Sequence, residues 1–151
     1  MKILFLHQNF PGQFKFLAPA LVEKGHEVSA MHHAGQLDNG VWQGVQIYKY
    51  DIHRESTPNI HPWLIDIETK TIRAEACFLA AKKLKKDGFN PDIVIGHHGW
   101  GECLFIKEIW PKTKLAIYCE FFYKAYGQDV NFDPEFPTDP EIEGSRIFIK
   151  N

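Results

Sequence analysis

Two short apolar runs, Ile3-Leu4-Phe5-Leu6 and Ile93-Val94-Ile95, each give way at once to a polar, glycine-containing loop that leads into a helical pattern. A run without polar alternation suits a strand covered on both faces, and such strands belong to parallel sheets flanked by helices. The chain between them repeats the theme. An amphipathic helix is expected around Phe14, Leu17, Leu21 and Val22, closed by Lys24-Gly25; Pro19 either sits in its first turn or kinks an earlier-starting helix. Glu27–Met31 and Val45–Tyr50 read as the second and third strands, with a turn at Asp38-Asn39-Gly40. After an irregular polar segment, Asp51–His61, Pro62 opens a helix to about Lys86. Its expected apolar stripe is Ile65, Ile72, Ala76, Leu79 and Ala80. Lys82, Lys83, Lys85 and Lys86 read as a solvated terminus that complements the helix dipole. Asp92–Ile95 is the fourth strand, Glu102–Trp110 a short helix and Leu115–Cys119 the fifth strand.

This order predicts an α/β fold: one Rossmann-like domain over residues 1–151, its mainly parallel sheet flanked by helices. In such sheets ligands lie beyond the carboxyl ends of the strands, at the switch point between the first and fourth strands. Three segments should therefore meet at one rim: Gln8–Gln13, Gly96–Glu102 and Glu120–Tyr126.

Several function classes are disfavoured. Net charge is −2, from 19 acidic and 17 basic residues, so no nucleic-acid partner is implied. No apolar run approaches the roughly 20 residues that span a bilayer, and Ile3–Leu6 is too short for a signal peptide. A soluble, cytoplasmic protein is expected. Cys77, Cys103 and Cys119 lie in apolar stretches without paired spacing, as buried reduced thiols would. The fingerprints of dinucleotide sites and P-loops are missing, and no nucleophile elbow occurs. The adjacent pairs His32-His33 and His97-His98 each offer one metal ligand at most, so no metal site is expected.

The rim itself carries suggestive chemistry. Gly12 permits close approach of a ligand at a helix start, where free amides favour anions. Gly96, Gly99 and Gly101 frame His97, His98 and Trp100, an imidazole pair for hydroxyls and an indole face suited to sugars. His97 bonded to loop carbonyls, Glu102 as a simple helix-start anion and the aromatic excess of the second half as core volume are the plainer alternatives.

The stretches Met1–Phe14, Leu17-Ala18-Pro19-Ala20-Leu21 and Gly25-His26-Glu27-Val28 resemble the opening of family 4 glycosyltransferases. His61-Pro62-Trp63, Gly96-His97, Gly99-Trp100-Gly101-Glu102, Glu120-Phe121-Phe122-Tyr123 and Phe132–Pro137 extend the likeness over nearly the whole chain. One departure is His98, where the family pattern has proline. The resemblance implies the acceptor-side, amino-terminal half of a two-domain GT-B enzyme that retains anomeric configuration. The donor-binding half, absent from this sequence, would hold the nucleotide-sugar; no other cofactor is implied. By the same likeness Gly12 and Gln13 would touch donor phosphate or sugar, His97 the transferred sugar or acceptor, and Glu120 the acceptor hydroxyl. Gly99, Trp100 and Glu102 would complete the substrate contacts. No basic cluster is apparent at the rim to stabilise a leaving diphosphate, so the chain alone is expected to be inactive. Its partners would be the donor-binding half, in cis or trans, and a sugar or glycan acceptor. The tail from Phe132 to Asn151 offers a self-association contact. Two other readings stay open: a stand-alone carbohydrate- or nucleotide-binding module, and a hydrolase or metal enzyme using the histidines.

Overall fold

The computed structural model describes residues 1–120, 122–124, 127, 130–139, 142, 144 and 147. The expected Phe121 and Tyr126 parts of the rim, and all of the closing run Arg146–Asn151 except Ile147, lie outside the described residues.

The central strand β1 (Lys2–Leu6) alternates between two cores, which is why its sequence shows no polar face. Ile3 and Phe5 join one cluster and Leu4 and Leu6 the other. Burying side chains of this size contributes roughly 1.5–3 kcal/mol apiece. β2 (Glu27–His32) pairs parallel with one side of β1, and β5 (Ile93–His97) with the other. β4 (Val45–Lys49) extends the sheet beyond β2, β6 (Lys114–Tyr118) extends it beyond β5, and both additions are parallel.

A sixth strand was not expected. β3 (Gly40–Trp42) lies antiparallel on β4 and closes that edge, giving the order β3-β4-β2-β1-β5-β6. The two-residue link Gln43-Gly44 has positive φ at both positions, the hairpin geometry whose twist matches its strands. The expected turn at Asp38–Gly40 therefore runs directly into a strand.

α1 (Leu17–Glu23) starts late, so Pro19 falls in its first turn, where no intrahelical donor is needed. It packs Ala18, Leu21 and Val22 on the Phe5 side. α2 (Ile65–Lys86) follows a one-turn 3-10 helix, Pro62–Leu64, and covers the opposite face. Of the expected stripe, Ile72 is buried and Ala76 and Ala80 pack against the core, but the rest differs. Ala74, Cys77 and Ala81 are buried, with Phe78 and Leu84 beside them, while Ile65 and Leu79 are exposed. Small residues let α2 lie close to the sheet.

The expected Glu102–Trp110 helix shrinks to α3 (Ile106–Ile109), preceded by turns. Lys85 is less solvated than its neighbours suggest, because its ammonium donates to the Ile109 carbonyl and ties α2 to α3. Cys77 is buried, Cys103 half-buried and Cys119 exposed, so the expectation of three buried thiols fails for the last. Among the described residues no helix is long and apolar enough to cross a membrane.

Candidate functional site

Strand register brings the expected loops together. Leu6 is level with Gly96, and His97 with Tyr118, so the residues just past β1, β5 and β6 emerge side by side. His7 meets His97 edge-on, ring centroids 5.0 Å apart, and Glu120 reaches in from two residues past β6.

These side chains form a directed hydrogen-bond chain. The Asn9 amide donates to His7 Nδ1 at 3.1 Å, so the His7 proton resides on Nε2. That N–H donates to Gln13 Oε1 at 2.6 Å. The Gln13 amide is thereby oriented with its nitrogen toward Glu120, donating to both carboxylate oxygens at 3.0 Å. His97 Nε2 donates to Glu120 Oε2 at 2.8 Å. Hydrogen bonds from Gln13 and then His97 hold the Glu120 carboxyl below the usual carboxylate range. Burial lowers the His7 pKa, in keeping with a neutral ring that accepts at Nδ1. Glu120 is thus a fixed, reachable anion. It suits accepting a proton-bearing hydroxyl or facing positive charge better than acting as a strong base.

His7 is a site residue to which the sequence reading assigned no role. Gly12 owes its place to it: a Cβ there would sit 2.5 Å from His7 Cε1 and Nε2, on a backbone with φ +45°. Here the missing side chain makes room for an imidazole.

The loop after β5 is arranged differently from expectation in two respects. Trp100 has ring neighbours already: His97 lies nearly parallel at 6.4 Å between centroids, and the Arg73 guanidinium stands 5.5 Å over the indole. Glu102, expected at the rim, lies beneath it, 1% exposed. Among the described residues both its oxygens lack a hydrogen-bond partner, and His33 Nε2 stands 3.6 Å from Oε1. Burial raises the Glu102 carboxyl above the usual carboxylate range and lowers His33 to about 4, which leaves the His33 ring neutral near pH 7. Gly99 faces open space, whereas Gly101 is pressed against the Lys70 backbone of α2.

A cavity of about 280 Å³ opens beside this loop, lined by His97, His98, Gly99, Trp100, Glu120 and Tyr123 together with Asp66, Thr69, Lys70 and Arg73 of α2. The sequence reading found no basic cluster at the rim. The fold supplies one, because α2 crosses to β5 with its first turns beside the Gly96–Glu102 loop. A larger groove, about 670 Å³, lies elsewhere, between α2 and the chain leaving β4, and none of the rim residues lines it. Among the described residues no group of three or more His, Cys, Asp or Glu side chains could hold a metal ion.

A family model described as a glycosyl transferase family 4 group matches residues 24–151, a span that includes α2 and the loops after β5 and β6. Among curated proteins none matches the chain.

Proposed function

Since the chain belongs to the glycosyl transferase family 4 group, we propose that it forms the acceptor-side half of a retaining transferase working in the cytoplasm. The acceptor hydroxyl would lie on Glu120, and the donor would be a nucleotide-sugar with no further cofactor. One observation carries this reading: the chain His7–Gln13–Glu120–His97 converges from three loops on one carboxylate at the carboxyl edge of the sheet. A fixed carboxylate can accept from the attacking hydroxyl and offset oxocarbenium charge as the donor bond breaks. Its two donors would hold it in place without reorganisation.

By the family likeness, Gln13 and the Gly12 backbone would meet the donor diphosphate that a second Rossmann-like domain, in cis or in trans, would bring to this edge. Leaving-group stabilisation would come mainly from that second domain, so the 151-residue chain by itself transfers no sugar.

The test is a panel of nucleotide-sugars and sugar acceptors with the chain alone, then with a complementing family 4 donor domain. The expected result is turnover only in the combined reaction, retained anomeric configuration by NMR, and a loss of about a hundredfold or more in E120Q. Turnover by the chain alone, an inverted product, or full activity in E120Q would overturn the corresponding part of the proposal. Specific sugar binding without turnover in any combination would favour the stand-alone binding module.

A further inference from the structure

Resting on the transferase reading above, we propose that the cavity beside Trp100 receives an acidic group of the acceptor, a carboxylate or phosphate carried by one sugar, with Arg73 as the residue that binds it. The cavity, about 280 Å³, falls just below the roughly 300–1,000 Å³ typical of drug-sized ligands, so it suits a single sugar residue. Glu120 and His97 line the same space as Arg73, so hydroxyl and anion would be read within one monosaccharide.

Arg73 is unusual in this setting. Among the described residues its guanidinium makes no hydrogen bond or ion pair, and its ring contact is with Trp100, 5.5 Å away. An indole under a guanidinium restrains it while leaving its N–H donors available for a planar or tetrahedral anion. Lys70, three residues earlier on α2, lines the same wall.

Among the described residues none of the acids nearby is hydrogen-bonded to the Arg73 guanidinium. Glu120 already accepts from Gln13 and His97. Glu102 is sealed beneath the loop, and its burial favours the uncharged form. Asp66 lines the cavity too, as an anion in the first turn of α2, so the preference for an acidic sugar rests on the Arg73 donors and not on the cavity's net charge. The arrangement therefore selects a sugar bearing a negative group on the α2 side and a free hydroxyl on the Glu120 side.

The experiment is a protein-observed NMR titration of the full chain with glucose, glucuronate and glucose 6-phosphate, following the Trp100 indole N–H. The expected result is that at least one acidic sugar binds roughly tenfold or more tighter than glucose, as charge-assisted hydrogen bonds require. R73Q should erase that preference, so that the variant binds acidic sugars no tighter than it binds glucose, while R73K keeps part of it. Should R73Q unfold, R73K and the weakening of the wild-type preference by salt decide the matter. Equal affinity for glucose, a preference that survives R73Q, or no binding of any of the three sugars overturns the inference. Whichever acidic sugar binds tighter names the group.

Its failure is separable from that of the transferase reading. Transfer to neutral acceptors, with no preference for acidic sugars, leaves the transferase reading intact and removes this one. Arg73-dependent binding of acidic sugars without transfer in any assay does the reverse.

Discussion

Gly99 and Gly101 share φ +108°, so replacing each by alanine isolates what the backbone of α2 contributes to the loop after β5. At that φ a side chain is strained wherever it stands, at a cost of about 1–3 kcal/mol. A Cβ at Gly99 would meet nothing within 4 Å. A Cβ at Gly101 would lie 2.8 Å from the Lys70 carbonyl carbon and closer still to its oxygen. These are backbone atoms and cannot rotate away, so the loop must lift from α2. Forced repacking of that kind adds about 1–3 kcal/mol. G99A should therefore lose about 1–3 kcal/mol of stability and G101A about 2–6 kcal/mol. For a chain of this size the difference corresponds to roughly 2–12 °C in Tm. Thermal melts followed by circular dichroism read it directly. Equal melting of the two variants would refute the contact between the loop and α2, because the φ cost cancels in the comparison.

Two further outcomes follow from the hydrogen-bond chain and the buried histidine. Q13A removes the leading donor to Glu120, so the Glu120 carboxyl should titrate closer to the ordinary carboxylate value. In the wild-type chain that lowered pKa stabilises the fold above the unfolded value and is lost as pH falls through the folded one. Carboxyl 13C NMR across acid pH checks it, and an unchanged Glu120 midpoint would contradict the chain as drawn. The unfolded chain protonates His33 near 6.5, while burial keeps it neutral in the fold to about 4. Between those values the unfolded state binds more protons, so His33 makes stability rise with pH by at most about 3 kcal/mol. Glu102, raised by burial, acts in the opposite sense, so the quantity to read is the difference between wild type and H33Q in urea midpoints from pH 4 to 7. An identical slope in both would show that His33 is solvated.

Much of this arrangement was legible in the chain. The unbroken apolar runs of β1 and β5 named the buried parallel strands, and the loops after them are where Gln13, His97 and Glu120 meet. Pattern reading succeeds there because burial on both faces and the strand-loop-helix order are local properties. It passed over β3, whose three residues are too few for a period and whose best signal, Gln43-Gly44, is a weak turn pair. It also missed the contribution of α2. Lys70 and Arg73 look like ordinary helix cations until the crossover sets them beside Trp100, and nothing in helical periodicity reports which loop a helix will cross. Glu102 was read as a rim acid because charged residues are seldom sealed from water; only the packing of the loop on α2 puts it underneath. His7 was given no role because a histidine after a strand has no partner in sight, and Gln13 becomes one only when the loop folds back.

Gln13 and Glu120 are separated by 107 positions along the chain, and Glu120 follows the outermost strand of the parallel set. Among the described residues β6 is bonded on one side only, to β5, and most of its residues are open to solvent. Fraying of this border strand and dismantling of the carboxylate cage are therefore a single event. Any molecule that bridges His97 and Glu120 acts as a clasp on the margin of the sheet, slowing amide exchange along β6 as it binds. Occupancy of the site and cohesion of the fold are coupled through one strand, so tight binding and a firm sheet edge are thermodynamically the same achievement.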